Sequence, residues 1–170
     1  SDKPRRERLS EVGVWDGAAP PVAWLLDVAP MACVWGGNYF RDLPTSDDWL
    51  VWWKNNDGRS FAEAELAWTN LGRRVRVLQH HWGGEEKEHI TQKPLAVIVW
   101  CLGFVPAGAV VFDPFAGSGT TLIACAETGR VARCIELDPT YCDVIRRRWT
   151  RYAKERGLDP GTGALGAVGE

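Results

Sequence analysis

Apolar and polar positions divide the chain into two stretches of different character. In the first, short apolar runs alternate with polar turns. Residues 20–29 read as a short helix, opened by proline, with Trp24, Leu25 and Val28 on one face. Residues 31–35 form an apolar run of strand length, closed by Gly36 and Gly37. Residues 49–53 form a second such run, closed by Asn55, Asn56, Asp57 and Gly58. Residues 61–67 predict a helical turn feeding a strand. Val75, Val77 and Gln79 alternate with Arg74, Arg76 and Leu78, as in a strand with one polar face. Residues 82–89 read as a charged loop.

The second stretch has longer periods. Pro94 opens a helix running to about Phe104. Residues 109–113 form a short buried strand, and residues 118–128 a helix stopped by Gly129. Residues 131–137 read as another strand. Pro139 opens a last helix, with Asp138 at its cap. Strand, helix, strand with short connections predicts parallel strands in an α/β, doubly wound sheet. No internal repeat breaks the pattern. Residues 1–156 are expected to form a single domain, and the Gly-rich residues 157–170 a tail without fixed structure.

Composition narrows the class. At 45% hydrophobic and 25% charged, the 170 residues are globular in kind. No apolar run reaches the ~20 residues that span a bilayer, so no membrane partner is expected. There is no secretory signal. The start, residues 1–8, is basic and lacks an initiator Met, as in a chain processed or cut from a longer protein. The five cysteines, Cys33, Cys101, Cys125, Cys134 and Cys142, are odd in number and irregular in spacing. They predict reduced, buried thiols in a cytoplasmic protein rather than disulfides or a metal site. A net charge of −2 excludes a protein that coats nucleic acid, but not a local basic face.

The candidate chemistry lies at residues 110–121. A buried strand ends at Asp113. Gly117 and Gly119 then allow a tight turn and close approach of the backbone to a ligand. A helix follows, its first N–H groups free to face that ligand. Glu136, at the end of the next strand, is placed to accept hydrogen bonds from ribose hydroxyls. A dinucleotide fingerprint requires a third glycine where Leu122 stands, and a P-loop requires a lysine that is absent. A plain Gly-rich turn needs neither Asp113-Pro114-Phe115 nor the downstream acid.

Asp113-Pro114-Phe115, Gly117, Gly119, Thr120 and Thr121 together resemble the cofactor motif of amino-group DNA methyltransferases. Thr91-Gln92-Lys93-Pro94 is similar to a segment of those enzymes, with His89-Ile90 where the family has His-Pro. Residues 135–139 with Tyr141 resemble their ribose-holding segment. The resemblance implies a Rossmann-like methyltransferase fold, mostly parallel, and S-adenosylmethionine as cofactor. Asp113, Pro114 and the backbone from Gly117 through Ser118 to Gly119 would cradle its methionine part, with Phe115 packed nearby. Thr120 and Thr121 would contact its carboxylate or cap the helix. Gln92 and Lys93 would lie over the same end, and Glu136, with Asp138 beside it, would bind the ribose. The cofactor half (about 89–156) follows a target-pocket half (about 10–88), as in the β-type, phage-like members of the family.

The same resemblance implies methyl transfer to the exocyclic amine of adenine (N6) or cytosine (N4) in double-stranded DNA, in a bacterial or phage-infected cell, as in restriction–modification. It also requires an Asp/Asn/Ser-Pro-Pro-aromatic motif, which this sequence lacks. Pro20-Pro21 has Ala18-Ala19 before it and Val22 after it. The motif would precede Trp15-Asp16, so the fold is expected to lack N-terminal strands. Asn38 is the remaining catalytic candidate, with Tyr39, Trp53 and Lys54 as pocket-edge residues and Arg73, Arg74 and Arg76 as DNA contacts. His80, His81 and Lys87 extend that basic cluster, which reads equally as a solvated strand face. Arg146, Arg147, Arg148 and Arg151 read as a solvated helix face. Two other readings stay open: a protein that binds cofactor and acts with a partner or a second copy, and an RNA or protein methyltransferase.

Overall fold

The computed structural model describes residues 21–56, 62–81 and 92–161. In chain order these form α1 (Leu25–Val28), β1 (Cys33–Trp35), a 3-10 turn (Gly37–Tyr39), β2 (Trp49–Trp53), β3 (Ala64–Thr69), β4 (Val75–Gln79), α2 (Leu95–Leu102), β5 (Val110–Asp113), α3 (Thr120–Glu127), β6 (Val131–Cys134) and α4 (Pro139–Glu155). The architecture is α/β, as the alternation of apolar strands and helices predicts. The expected loop at 82–89, Thr91, and the tail beyond Gly161 lie outside the described residues.

Two expected elements differ. No helical turn precedes β3 among residues 62–63, and the strand itself begins at Ala64. Its Ala-Glu-Leu-Ala sequence favours helix locally. Pairing on both edges overrides that preference, since β3 bonds β1 on one side and β2 on the other. The strand expected over 131–137 ends at Cys134. Beyond it the Ile135 N–H still donates to Asp113 O at 2.9 Å, so extended pairing fades into the site loop.

The strands form a four-stranded sheet, β1-β3-β2-β4, and a two-stranded sheet, β5-β6. Parallel pairing holds for β2–β4 and β5–β6. β3 runs antiparallel to both its neighbours. The connection from β2 to its neighbour β3, residues 54–63, is too short for the helical crossover a parallel neighbour requires. β1, β2 and β4 therefore point the same way.

Strands β1, β2 and β3 of the larger sheet pack on both faces, while edge strand β4 is largely exposed. Val34 and Trp68 pack with Val22 and Trp49 on one side. Leu50, Ala67 and Trp35 pack under Cys101, Trp100 and Phe104 on the other. The alternation is that of a pleated strand. Further along α2, Leu102 joins Ala124 and Cys125 of α3, with Val111 and Ala132 of the small sheet beside them. One helix thus lies across both sheets, which is why Leu95–Leu102 is apolar on every side. Between the sheets, among the described residues, β1 pairs only with β3 and β5 only with β6.

Candidate active site

The site forms where β5 and β6 end. Asp113 closes β5, and its carboxylate organises the turn that follows. Oδ1 accepts from the Phe115 N–H at 3.0 Å, and Oδ2 from the Thr121 hydroxyl at 2.6 Å. Glu136, two residues past β6, works from the other side. Its Oε2 accepts from the Gly117 N–H at 2.7 Å and its Oε1 from the Asp138 N–H at 2.9 Å. Hydrogen bonds to a charged acceptor are worth roughly 1.5–3 kcal/mol each, so two carboxylates anchor a loop with few apolar contacts. Gly117 (φ 54°) and Gly119 (φ 79°) take the left-handed conformation, which L side chains adopt at a cost of about 1–2 kcal/mol. At Gly119 a Cβ would also come within 3.0 Å of the Ile145 side chain.

α4 closes the back of this loop. Asp138 caps it, accepting from the Thr140 N–H at 2.8 Å, with Pro139 in the first turn. The helix buries Val144, Ile145, Trp149 and Ala153, and Arg148 among them. The Arg148 guanidinium reaches the loop. One nitrogen donates to Ser118 O at 2.6 Å, to Ser118 Oγ at 2.8 Å and to Thr120 Oγ1 at 3.2 Å. Arg148 is therefore not on the solvated face expected for this helix.

The front of the loop is open. Phe115 is 59% exposed and Leu137, next to Glu136, is 95% exposed. These apolar side chains flank the Glu136 carboxylate. Beneath them the thiols stay protonated. Burial, with the Asp113 charge adding to it, pushes Cys134 up to about 12. Burial raises Cys125 to about 11. Among the described residues, no three His, Cys, Asp or Glu side chains converge as a metal site would require.

A second group of charged and aromatic side chains gathers at the start of α2 and the end of β2. Gln92 is buried just before α2. Lys93 sits 5.3 Å from the Trp35 ring centre and 3.5 Å from Glu65 Oε2. Lys54, after β2, lies 2.7 Å from Glu65 Oε1 and 5.1 Å from the Trp52 ring. Glu65 thus ties the end of β2 to the start of α2. Sequence reading passed over Glu65 and Trp35; no local motif marks them. Trp53 ends β2 beside Ala64. Asn38 and Tyr39 form the 3-10 turn after β1, with Tyr39 74% exposed.

The three arginines proposed for DNA contact are not gathered here. Arg73 and Arg74 precede β4, and Arg76 pairs with Leu50 near the start of β2. Arg74 and Arg73 lie toward the opposite end of the strands, roughly 16–20 Å from the end of β4 by strand rise, and Arg76 lies about 10 Å from it. A shallow cavity of about 490 Å³ also opens at that opposite end, lined by Ser46, Asp48, Trp68 and Asn70. Asp48 there accepts from the Gly72 and Arg74 N–H groups, which is turn-building. The cavity is remote from the Asp113 loop.

Comparison with known proteins identifies the family. Residues 28–147 match the family model described as DNA methylase, which covers N6 and N4 methyltransferases. Among solved structures, the chain is similar to M1.HpyAVI in complex with SAM, at 28% identity over 59% of this chain and 60% of that chain, with a TM-score of 0.51. It is also similar to TTHA0409, a putative DNA modification methylase from Thermus thermophilus complexed with S-adenosyl-L-methionine, at 28% identity over 64% of this chain and 53% of that chain, with a TM-score of 0.41. The chain thus spans about half to three-fifths of the length of these relatives. No curated protein matches it. No helix among the described residues is long and apolar enough to cross a membrane. With its matched region running through both halves and the Asp113 loop, the chain belongs to the DNA methylase family of N6 and N4 amino-methyltransferases.

Proposed function

We propose that this chain binds S-adenosylmethionine and serves a DNA methyltransferase acting on the exocyclic amine of adenine (N6) or cytosine (N4). The observation that carries the reading is the loop held between Asp113 and Glu136 at the carboxyl ends of two parallel strands. The residues fit the cofactor. Each Glu136 oxygen accepts one backbone N–H and keeps a lone pair for a ribose hydroxyl. The start of α3 favours a carboxylate. Exposed Leu137 and Phe115 offer an apolar surface for adenine.

When bound, the cofactor supplies an electrophilic methyl group on sulfur. The protein's part is to hold the target amine in line with it and to accept its hydrogens, because the amine lone pair is conjugated into the base. In this reading Asn38 and Tyr39 edge the base pocket. Lys54 and Lys93, joined through Glu65, contribute positive charge beside it. A strand bearing the acceptor-Pro-Pro-aromatic motif would enter between the open edges of β1 and β5. Those edges also support the second reading, in which the chain acts with a partner subunit, a second copy or a separate segment. A cytoplasmic setting, in a bacterial or phage-infected cell, belongs to the same proposal and fits five free cysteines.

The test is transfer of labelled methyl groups to DNA, RNA and protein, with the chain alone and co-expressed with an upstream segment carrying the motif. Calorimetry with S-adenosylmethionine accompanies it. Cofactor binding with DNA-selective transfer supports the proposal. Transfer without preference for DNA, or no binding by the folded chain, defeats it.

A further inference from the structure

Arg148 is charged, only 8% exposed and far from the surface role its neighbours suggest. Ile145, one turn earlier on α4, sets its side chain against Gly119, and Arg148 bonds the residues on either side of that glycine. One guanidinium nitrogen therefore spans the turn from behind, while Asp113 and Glu136 hold its two ends. The three acceptors on that nitrogen belong to Ser118 and Thr120, where the loop becomes helix α3. That junction sets the direction of the first N–H groups of the helix, which have no intrahelical partner. Buried positive charge behind them also raises the potential on the side where an anionic group would sit.

We infer that Arg148 is a positioning residue for the amino-acid end of the cofactor, locking the Ser118–Thr120 turn so that the start of α3 faces the methionine carboxylate. The inference rests on the S-adenosylmethionine reading above. It separates two tasks within one site: Glu136 serves the nucleoside end, and Arg148 serves the amino-acid end without touching it.

The two ends are separable by ligand. S-adenosylmethionine and S-adenosylhomocysteine carry the amino-acid chain, whereas 5′-methylthioadenosine lacks it. Calorimetry on the full chain compares all three for wild type, Arg148→Met, Arg148→Lys and Thr120→Val, with thermal melts to verify folding. Arg148→Met should weaken the two amino-acid ligands by roughly thirtyfold, the loss of a charge-assisted contact, and methylthioadenosine by less than about threefold. Arg148→Lys, which keeps charge but loses the planar guanidinium, should recover part of the difference. Thr120→Val removes the 3.2 Å arm and should show the same selectivity at smaller size, with no further loss in the Arg148→Met background; an equal loss in both backgrounds would overturn the role of that arm. Equal weakening of all three ligands would make Arg148 a general structural support and overturn the inference, as would no change. If wild type binds none of the three, the cofactor reading itself fails and the inference falls with it. Binding by wild type with no ligand selectivity in the variants defeats the inference alone.

Discussion

The two halves of the molecule hold their loops by different means. In residues 92–161 the critical loop is fixed by charged side chains from nearby strand ends and one helix: Asp113, Glu136 and Arg148. In residues 21–81 the carboxylates of Asp42 and Asp48 also build turns, but three further connections are pinned by indole N–H groups. Trp49 donates to Ser46 O at 3.0 Å, Trp52 to His80 O at 2.7 Å and Trp68 to Pro44 O at 2.7 Å. The first method leaves the loop front open, its carboxylates able to accept further bonds from a ligand beside exposed Phe115 and Leu137. The second commits a large apolar surface to each anchor and makes a rigid frame. The tryptophan richness of residues 21–81 is thus largely structural.

Thiol chemistry should sharpen the contrast most. Cys33, in the target half, is exposed, whereas Cys125 and Cys134 lie under the loop. With its pKa near 12 against an ordinary 9.0, folded Cys134 should carry about a thousandfold less thiolate than a free thiol at pH 8. Mass-resolved alkylation should label Cys33 first and Cys134 only on unfolding; early labelling of Cys134 would mean an open cofactor half. The same shift has a stability consequence. The folded pKa is above the unfolded one, so the contribution of Cys134 is whole below pH 9 and lost as pH rises toward 12. Melts of wild type against Cys134→Ala should converge over that window.

Removing a frame anchor comes next. Trp68 is 3% exposed, and Trp68→Ala should cost about 3–5 kcal/mol in denaturant unfolding. Cofactor affinity of the molecules that remain folded should stay within about threefold. Asp113→Ala should weaken S-adenosylmethionine by about a hundredfold through loss of two loop bonds, and should lower the melting midpoint as well. If Trp68→Ala weakened the cofactor as much as Asp113→Ala, the two halves would not be separable.

Smaller effects test the joints. Asp138→Ala removes the α4 cap and should cost about 1 kcal/mol, read as a lowered melting midpoint. Glu65→Gln breaks the ion pairs that link the halves. Its partners are only partly buried, so stability should move by less than about 1 kcal/mol. A larger drop would mark Glu65 as the main tie between β2 and α2.

Legibility followed the range of the interactions. The loop from Asp113 to Thr121 and the Asp138 cap were readable because their hydrogen bonds close within a few residues of one another. Strand β2 was readable in full, since its apolar run is bounded by turn residues on its far side. Arg148 was missed because a run of arginines reads as solvated, although it stands four residues from Val144 on the apolar stripe of α4. That stripe was the available signal. β3 was misread at its start because Ala and Glu carry a helical preference that only its two neighbours overrule.

By itself, the amino-acid order determined the α/β class, the Gly-loop with its two acids, and the cap of the last helix, because local spacing and backbone geometry suffice for each. Tertiary structure alone decided that β3 runs antiparallel, that α2 spans two sheets, that Arg73 and Arg74 sit toward the far end of the strands, and that Glu65 and Arg148 join segments distant in sequence. Those outcomes depend on which edges pair and which charges are buried together, and no single segment encodes its partner.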